Sequence, residues 1–400
     1  MRRTFGVLTA VFLATLALAS PAPAAASGTG TLFAITGNQQ LVSVDPTSGA
    51  FTLLTDLNTS DNPQSFDLAS DPVIHRLYLI GAFVTFDSGG PVFHQNLLTV
   101  DSRTGAILSQ PDLTGTAFPA LMVDASTGDL FGFDGRALVK INPTAGTSTV
   151  VAPMTTFACV NSVALDSSSG LVYLAQESCG SIETVTTQLF TINDKSGAIT
   201  PGPGLDRPVR QIALDSGNLY GVTEGPTFDY VAINKTTGHT TFLANLGDGN
   251  SIIQFGTATN EASHTTFIDV GTRDVFGNFN DSLVSMDNLT GHATSAALAT
   301  GFSGNGMAFE PEIVVTQASA RADVTSAISS GAIDNAGVGK SLLSLLDSAA
   351  RAVAQGQCKT AANIYQEFIN QVNAQSGKHI ATATAGQLLI DARALSASCP

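Results

Sequence analysis

Gln188-Leu-Phe-Thr-Ile-Asn-Asp-Lys-Ser-Gly197 is a short alternating apolar run that ends in an Asx-x-x-x-Gly turn. The same ending recurs at Asp45-Pro-Thr-Ser-Gly49, Asp101-Ser-Arg-Thr-Gly105, Asn142-Pro-Thr-Ala-Gly146, Asn234-Lys-Thr-Thr-Gly238 and Asp287-Asn-Leu-Thr-Gly291. An Asp or Asn side chain caps amides two residues on, and Gly supplies the positive φ that closes a hairpin after a type I turn. Each copy therefore predicts a β-hairpin. The copies start 56, 41, 51, 41 and 53 residues apart, which is the length of a four-stranded propeller blade and too irregular for a solenoid. The fold class expected is an all-β six-bladed β-propeller over residues 27–312, followed by a small α-helical bundle.

Working outward from the turns, each blade reads as an inner strand, a second, a third, the Asx-Gly turn and an outer strand. Blade four has Ser162-Val-Ala-Leu-Asp166, Leu171-Val-Tyr-Leu174 and Gln188-Leu-Phe-Thr-Ile192; blade five repeats it with Gln211-Ile-Ala-Leu-Asp215, Leu219-Tyr-Gly-Val222 and Tyr230-Val-Ala-Ile233. The first blade lacks an inner strand and begins with Thr31-Leu-Phe-Ala-Ile35, whereas Gly306-Met-Ala-Phe-Glu310 matches the inner-strand pattern with no blade behind it. The C-terminal strand is thus expected to complete the N-terminal blade, which closes the ring and removes both open sheet edges.

The chain begins with Arg2 and Arg3, an apolar core from Val7 to Leu18 and a Pro/Ala/Ser stretch. That layout is a secretory signal over residues 1–26, and the expected location is secreted, extracellular or at the cell surface. No later apolar run approaches the length of a membrane span. From Ser27 to Glu312 there are nine Lys and Arg against 27 Asp and Glu, a net of −18, whereas Ile313 to Pro400 has six against five. An acidic field of this kind disfavours nucleic acid and anionic lipid as partners and leaves cations, neutral sugars and peptides open; the partner expected is a small neutral ligand or an extracellular protein, and the chain is expected to be a monomer. Four cysteines in an exported chain imply two disulfides. Cys159 and Cys179 flank the blade-four hairpin and fall almost opposite one another, which leaves Cys358 with Cys399.

After Glu312 the composition turns to Ala, Ser, Leu and Gln at helical spacing. Leu342, Leu343, Leu346, Ala350 and Val353 are expected to line one helix, Ile364, Tyr365, Phe368, Ile369 and Val372 a second, and Leu388, Leu389 and Ala394 a third. Residues 313–335 read as a linker with a first helix and 336–400 as the helical domain proper. Gly337-Val-Gly-Lys-Ser341 has the ending of a phosphate-binding loop, but Asp334 stands where the first Gly belongs, so it reads as a helix start.

The paired strands Ser162 to Leu174 and Gln211 to Val222 resemble the blades of secreted NHL-like and YncE-like β-propellers, a resemblance that implies the fold over residues 31–311. The tail, with Phe368-Ile-Asn-Gln-Val-Asn-Ala-Gln-Ser-Gly-Lys-His-Ile380 and Ala385-Gly-Gln-Leu-Leu-Ile390, resembles the FIMAH domain, which implies an accessory role in attachment or interaction.

Function in a propeller concentrates at the channel mouth, where the inner strands begin. Aligning the strands on Asp71, Asp124, Asp166, Asp215, Asn260 and Glu310 brings Ser65, Asp67, Asn161, Arg210, Gln211, Gln254 and Asn305 to those ends. Ser65, Asn161, Gln211, Gln254 and Asn305 are the ligand-binding candidates; Asp67 as base and Arg210 as an electrostatic stabiliser are the catalytic ones. No cofactor is expected, with Ca²⁺ the one ion kept open: lactonase-type propellers hold calcium by a Glu, two Asn and an Asp, and only Asp67, Asn161 and Asn305 are at hand. The six histidines stand singly along the chain and read as solvent-facing. The leading expectation is a non-catalytic binding or interaction protein; the alternatives are a lactonase- or lyase-like enzyme using the channel, and a structural surface protein.

Overall fold

The computed structural model describes residues 30–57, 64–87, 90–113, 120–154, 159–177, 186–248, 251–273, 279–298 and 306–398. Blade 1 takes β1 (Gly30–Ile35), β2 (Gln40–Val44) and β3 (Phe51–Asp56); blade 2 takes β4 (Gln64–Asp71), β5 (Arg76–Asp87), β6 (Gly90–Asp101) and β7 (Ile107–Ser109). Blade 3 is β8 (Ala120–Asp124), β9 (Asp129–Phe133), β10 (Ala137–Asn142) and β11 (Thr147–Pro153), and blade 4 is β12 (Cys159–Asp166), β13 (Leu171–Glu177), β14 (Thr187–Asn193) and β15 (Ile199–Gly204). Blade 5 runs through β16 (Val209–Asp215), β17 (Asn218–Thr223), β18 (Thr227–Ile233) and β19 (Thr240–Asp248), and blade 6 through β20 (Ser251–Asn260), β21 (Thr265–Arg273), β22 (Phe279–Asp287) and β23 (Ala293–Ala297). The last strand, β24 (Gly306–Pro311), pairs antiparallel with β1, Leu32 opposite Phe309 and Ile35 opposite Gly306, and becomes the inner strand of blade 1. The six inner strands β24, β4, β8, β12, β16 and β20 meet one another in that order and close the ring.

All six Asx-Gly turns form as expected. In each, the Asx side chain accepts from the amides two and three residues on, as Asp45 does from Thr47 and Ser48 and Asn193 from Lys195 and Ser196. The Thr47 and Ser48 amides hold the exposed Asp45 carboxyl below its ordinary value. The closing glycines have φ between 66° and 75°. They also do something the sequence did not announce: a Cβ on Gly49, Gly105, Gly146, Gly197 or Gly238 would overlap a backbone carbonyl oxygen of the preceding blade's outer segment. The motif is therefore a blade-to-blade contact as well as a hairpin.

Apolar packing lies between blades. Phe33 and Ile35 of blade 1 share a cluster with Leu68, Leu77, Leu79 and Leu98 of blade 2, and Met122, Phe131 and Phe133 of blade 3 share one with Val172, Leu174 and Ile192 of blade 4. Alternation in each strand places every second side chain on one of the two sheet faces, so a blade buries both faces against its neighbours. A bulge between Val160 and Ser162 shifts the register so that Cys159 stands opposite Glu177, two residues short of Cys179, which lies outside the described residues.

The C-terminal module contains α1 (Gln317–Ser329), α2 (Ala336–Ala354), α3 (Cys358–Gln375) and α4 (Thr382–Ala397). Thr316 and Ser319 form a capping box at α1, and Asn335 caps α2 by accepting from Gly337 and Val338. The Gly337-to-Ser341 segment is thus a helix N-terminus. Val324, Leu342, Leu346, Tyr365, Phe368, Val372, Leu388 and Leu389 share one core, so α1 packs with the other three helices. On α2 the buried stripe continues through Ala349 and Ala352, whereas Val353, expected inside, is 40% exposed. The residues on both sides of that turn are apolar, and the spacing did not distinguish which of them faces in. Cys358 is not a free thiol, and its expected partner Cys399 lies outside the described residues. No helix among the described residues is long and apolar enough to cross a membrane.

Candidate functional site

The ring has an entry end, where the inner strands begin, and an acid end, where they finish at Asp71, Asp124, Asp166, Asp215, Asn260 and Glu310. Of the residues expected at the entry end, Ser65, Asn161 and Gln254 lie in inner strands β4, β12 and β20, with side chains outside the described set, and Asn305 lies outside the described residues. Gln211 is buried, and the Arg210 guanidinium donates to Glu224 at 3.5 Å. Arg210 belongs to blade 5 and Asp67 to blade 2, with two blades between them either way round the ring. The topology does not bring this acid and this cation side by side.

Asp67 occupies a repeating position. It stands four residues before the end of its inner strand, and its Oδ2 accepts from the Leu121 amide of blade 3 at 2.5 Å while Oδ1 accepts from Leu68 N at 2.9 Å. Ser162, at the same position in blade 4, accepts from the Ile212 amide of blade 5 at 3.1 Å. In blade 1 the position is Gly306, where a Cβ would come within 2.9 Å of Leu68 N. Side chains here act as struts that tie one inner strand to the next. Burial pushes the Asp67 carboxyl up to about 7 in spite of the two amide bonds. Asp67→Ala leaves the Leu121 amide without its acceptor and is expected to cost about 1–3 kcal/mol in urea denaturation; Asp67→Ser, which copies Ser162, is expected to restore most of that.

At the acid end two of the six histidines, His75 and His264, both half-buried, differ from the solvent-facing expectation by pairing with acids of the neighbouring blade, whereas His239, His292 and His379 are exposed. His75 and His264 each stand four residues after the end of an inner strand, at φ 54° and 52°. His75 Nδ1 lies 2.7 Å from Glu310 of blade 1, which also receives the Ser102 hydroxyl at 2.9 Å. His264 Nδ1 lies 3.1 Å from Asp215 of blade 5, which also receives the Asn288 amide at 3.0 Å. The signal was present in the register: both histidines fall where blades 3 and 4 have Gly128 and Gly170, at positive φ. Two blade boundaries are therefore bridged by acid–histidine pairs.

The boundary between blades 3 and 4 differs. Asp194, equivalent to Ser102 and Asn288 in donating its amide to the carbonyl of the turn residue before it, brings a carboxylate towards Asp124 instead of a donor. It is 6% exposed, and its Oδ1 has no hydrogen-bond partner among the described residues. Burial first, and the Asp124 charge next, push its carboxyl up to about 6. The neutral acid is thus favoured in the fold, so its contribution to stability is complete below about pH 4 and is lost as pH rises through about 6. Asp194→Asn, which installs the Asn288 donor, is expected to raise stability by about 1–2 kcal/mol near pH 7.5 and by nothing near pH 4. Urea denaturation at the two pH values checks this, and an equal gain at both would contradict it. A cleft of about 430 Å³ beside it is lined by Asp129, Lys140, Asp194 and Lys195, with Lys140 and Asp129 paired at 2.6 Å. Among the described residues no group of three or more His, Cys, Asp or Glu is arranged to hold a metal ion.

The helical module rests on the acid end. Gly386 of α4 approaches the blade 4 turn so closely that a Cβ would stand 3.2 Å from Ser168 Cα. Two turns further along the same helix face, Arg393 donates to the Ala125 carbonyl and pairs with Asp71 at 2.7 Å. Residues 317–397 match the family model of the FIMAH domain. The match covers α1 to α4, so the helical module is the FIMAH domain and the acid end carries it. No curated protein matches the chain. Among solved structures, the Kuenenia stuttgartiensis hydrazine synthase is similar at 12% identity and a TM-score of 0.43, over 63% of this chain and 71% of that one. Dihydro-heme d1 dehydrogenase NirN is similar at 9% and 0.40, over 71% and 75%. The extracellular domain of BT4673 from B. thetaiotaomicron is similar at 13% and 0.38, over 66% and 39%. At these TM-scores the likenesses carry no inference about the ligand or activity of this chain.

Proposed function

We propose that this chain is an exported, non-catalytic propeller that binds a small neutral ligand or an extracellular protein partner at the entry end, with the FIMAH domain as its accessory module. The observation that carries this reading is the division of the ring: at the acid end two blade boundaries are bridged by acid–histidine pairs and a third by Arg393 of α4, and we assign the partner to the opposite, entry end. Ser65, Asn161, Gln211, Gln254 and Asn305 are the residues we assign to that contact, and neutral recognition fits a propeller of net charge −18 by lowering the attraction of anions. Arg2 to Ala26 supports export, and in an exported chain the Cys159–Cys179 and Cys358–Cys399 pairs would staple the blade 4 hairpin and the FIMAH domain.

One observation favours the enzymatic alternative. A carboxyl raised to about 7, as in Asp67, lies in the range where a general base works. Against it, both Asp67 oxygens already accept backbone amides and Arg210 is on a distant blade. Asp67→Ser separates the two readings because it keeps the strut and removes the carboxylate. A binding protein keeps its ligand response in this variant; a lactonase assayed on a lactone panel would lose turnover, and that loss would overturn the non-catalytic reading.

A further inference from the structure

Three blade boundaries at the acid end share one arrangement. A carboxylate that finishes an inner strand receives a nitrogen donor from beyond its own blade: Glu310 from His75 at 2.7 Å, Asp215 from His264 at 3.1 Å, and Asp71 from Arg393 at 2.7 Å. The two histidines come from the next blade, at the left-handed position of its first turn. In blade 3 that position is Gly128, with φ 79°, and a Cβ there would overlap Arg393 Nη2. The guanidinium thus fills the space into which a side chain at residue 128 would extend.

The second donor is missing from blade 3 as well. Ser102 and Asn288 follow the Asx of their turns and donate to Glu310 and Asp215, whereas the corresponding residue after Asn142 is Pro143, which has neither an N–H nor a polar side chain. Asp71 is fully buried and its Oδ1 accepts from Val73. A buried carboxylate without a cationic or polar partner is strongly unfavourable, and blade 3 provides none at either position. Arg393 supplies it from α4. Seven residues earlier on the same helix face, Gly386 lets the backbone of α4 settle on Ser167 and Ser168 of blade 4.

We infer that Arg393 is an interdomain lock. It stands in for the histidine of the other blades, blade 3 is shaped by Gly128 and Pro143 to admit it, and the partner of this propeller face is the chain's own FIMAH domain, held as a fixed part of the molecule. Arg393 is a positioning residue, and the inference does not depend on what binds at the entry end.

Hydrogen exchange on the full chain tests it, read on peptides from α4 and from the blade 3 and blade 4 first turns, with blade 5 and blade 6 peptides as a folding control. Arg393→Ala is expected to raise exchange in the reporting peptides by about tenfold or more, the change that a loss of 1.4 kcal/mol produces, and to leave the controls unchanged. Gly128→His removes nothing and gives blade 3 the donor that blades 2 and 6 carry. It is expected to displace Arg393 and free α4 with the propeller still closed. Exchange within twofold of the parent protein in the Gly128→His variant overturns the lock, whatever Arg393→Ala does to the controls, as does slowed exchange in either variant.

Discussion

A chain lacking residues 306–311 is expected to lose the cooperative unfolding transition of its propeller. β24 is the only inner strand of blade 1, and six residue pairs join it to β1. Without it, Leu32, Phe33, Ala34 and Ile35 lose their cover on one side, Met307 and Ala308 leave the core, and the contacts that β24 makes with β4 and β20 disappear. Full exposure of a large apolar side chain costs about 1.5–3 kcal/mol, so the loss of Met307 and the partial uncovering of Leu32, Phe33 and Ile35 remove a large share of a domain's stability of about 5–15 kcal/mol. An open ring would also present β1 and β4 as unpaired or uncovered elements prone to association. Thermal unfolding followed by circular dichroism checks the expectation. A single transition within a few degrees of the parent protein would mean that the ring does not depend on this closure.

Gly197→Ala is expected to be far more costly than Gly135→Ala, although the two glycines have φ of 68° and 80°. Among the described residues nothing lies within 4 Å of where a Cβ on Gly135 would stand, whereas at Gly197 that atom would overlap the Val151 carbonyl oxygen of blade 3. The Gly135 variant bears only the left-handed penalty of about 1–2 kcal/mol. At Gly197 a backbone carbonyl cannot rotate aside, and overpacking adds about 1–3 kcal/mol, for a total of about 2–5 kcal/mol. Urea denaturation of the two variants measures the difference. Equal losses would show that the turn glycine serves its hairpin alone.

The blade count, the strand order and the closure by β24 were legible because an Asx-Gly turn and period-2 alternation are local signals repeated six times, and a stray inner strand at one end has one place to go. The C-terminal helices were legible from 3.6-residue spacing, except where runs such as Ala349-Ala350 and Ala352-Val353 left the inward face undecided. What was not legible is everything that crosses a blade boundary. Asp67 looked like a channel base, yet its partner is an amide 54 residues away in the next blade. The aligned Asp71, Asp124, Asp166 and Asp215 served only as register marks, and the histidines that answer two of the acid-end positions looked solitary because their partners lie 235 and 49 residues distant. The link between Arg393 and Asp71 spans 322 residues and two domains, beyond any pattern a single sequence displays.

The entry end is the binding face proposed for this propeller. A thermal-shift screen of the full chain against neutral oligosaccharides and neutral peptides tests it, since a ligand at 100 times its dissociation constant adds about 2.7 kcal/mol. Three proteins are compared: the parent, an Asn161→Ala/Gln254→Ala variant at the entry end, and a Lys195→Ala variant at the acid end. The expected result is a compound that raises the melting temperature of the parent and of Lys195→Ala but not of the double variant. A shift that survives in the double variant and vanishes in Lys195→Ala would place recognition at the acid end and contradict the claim.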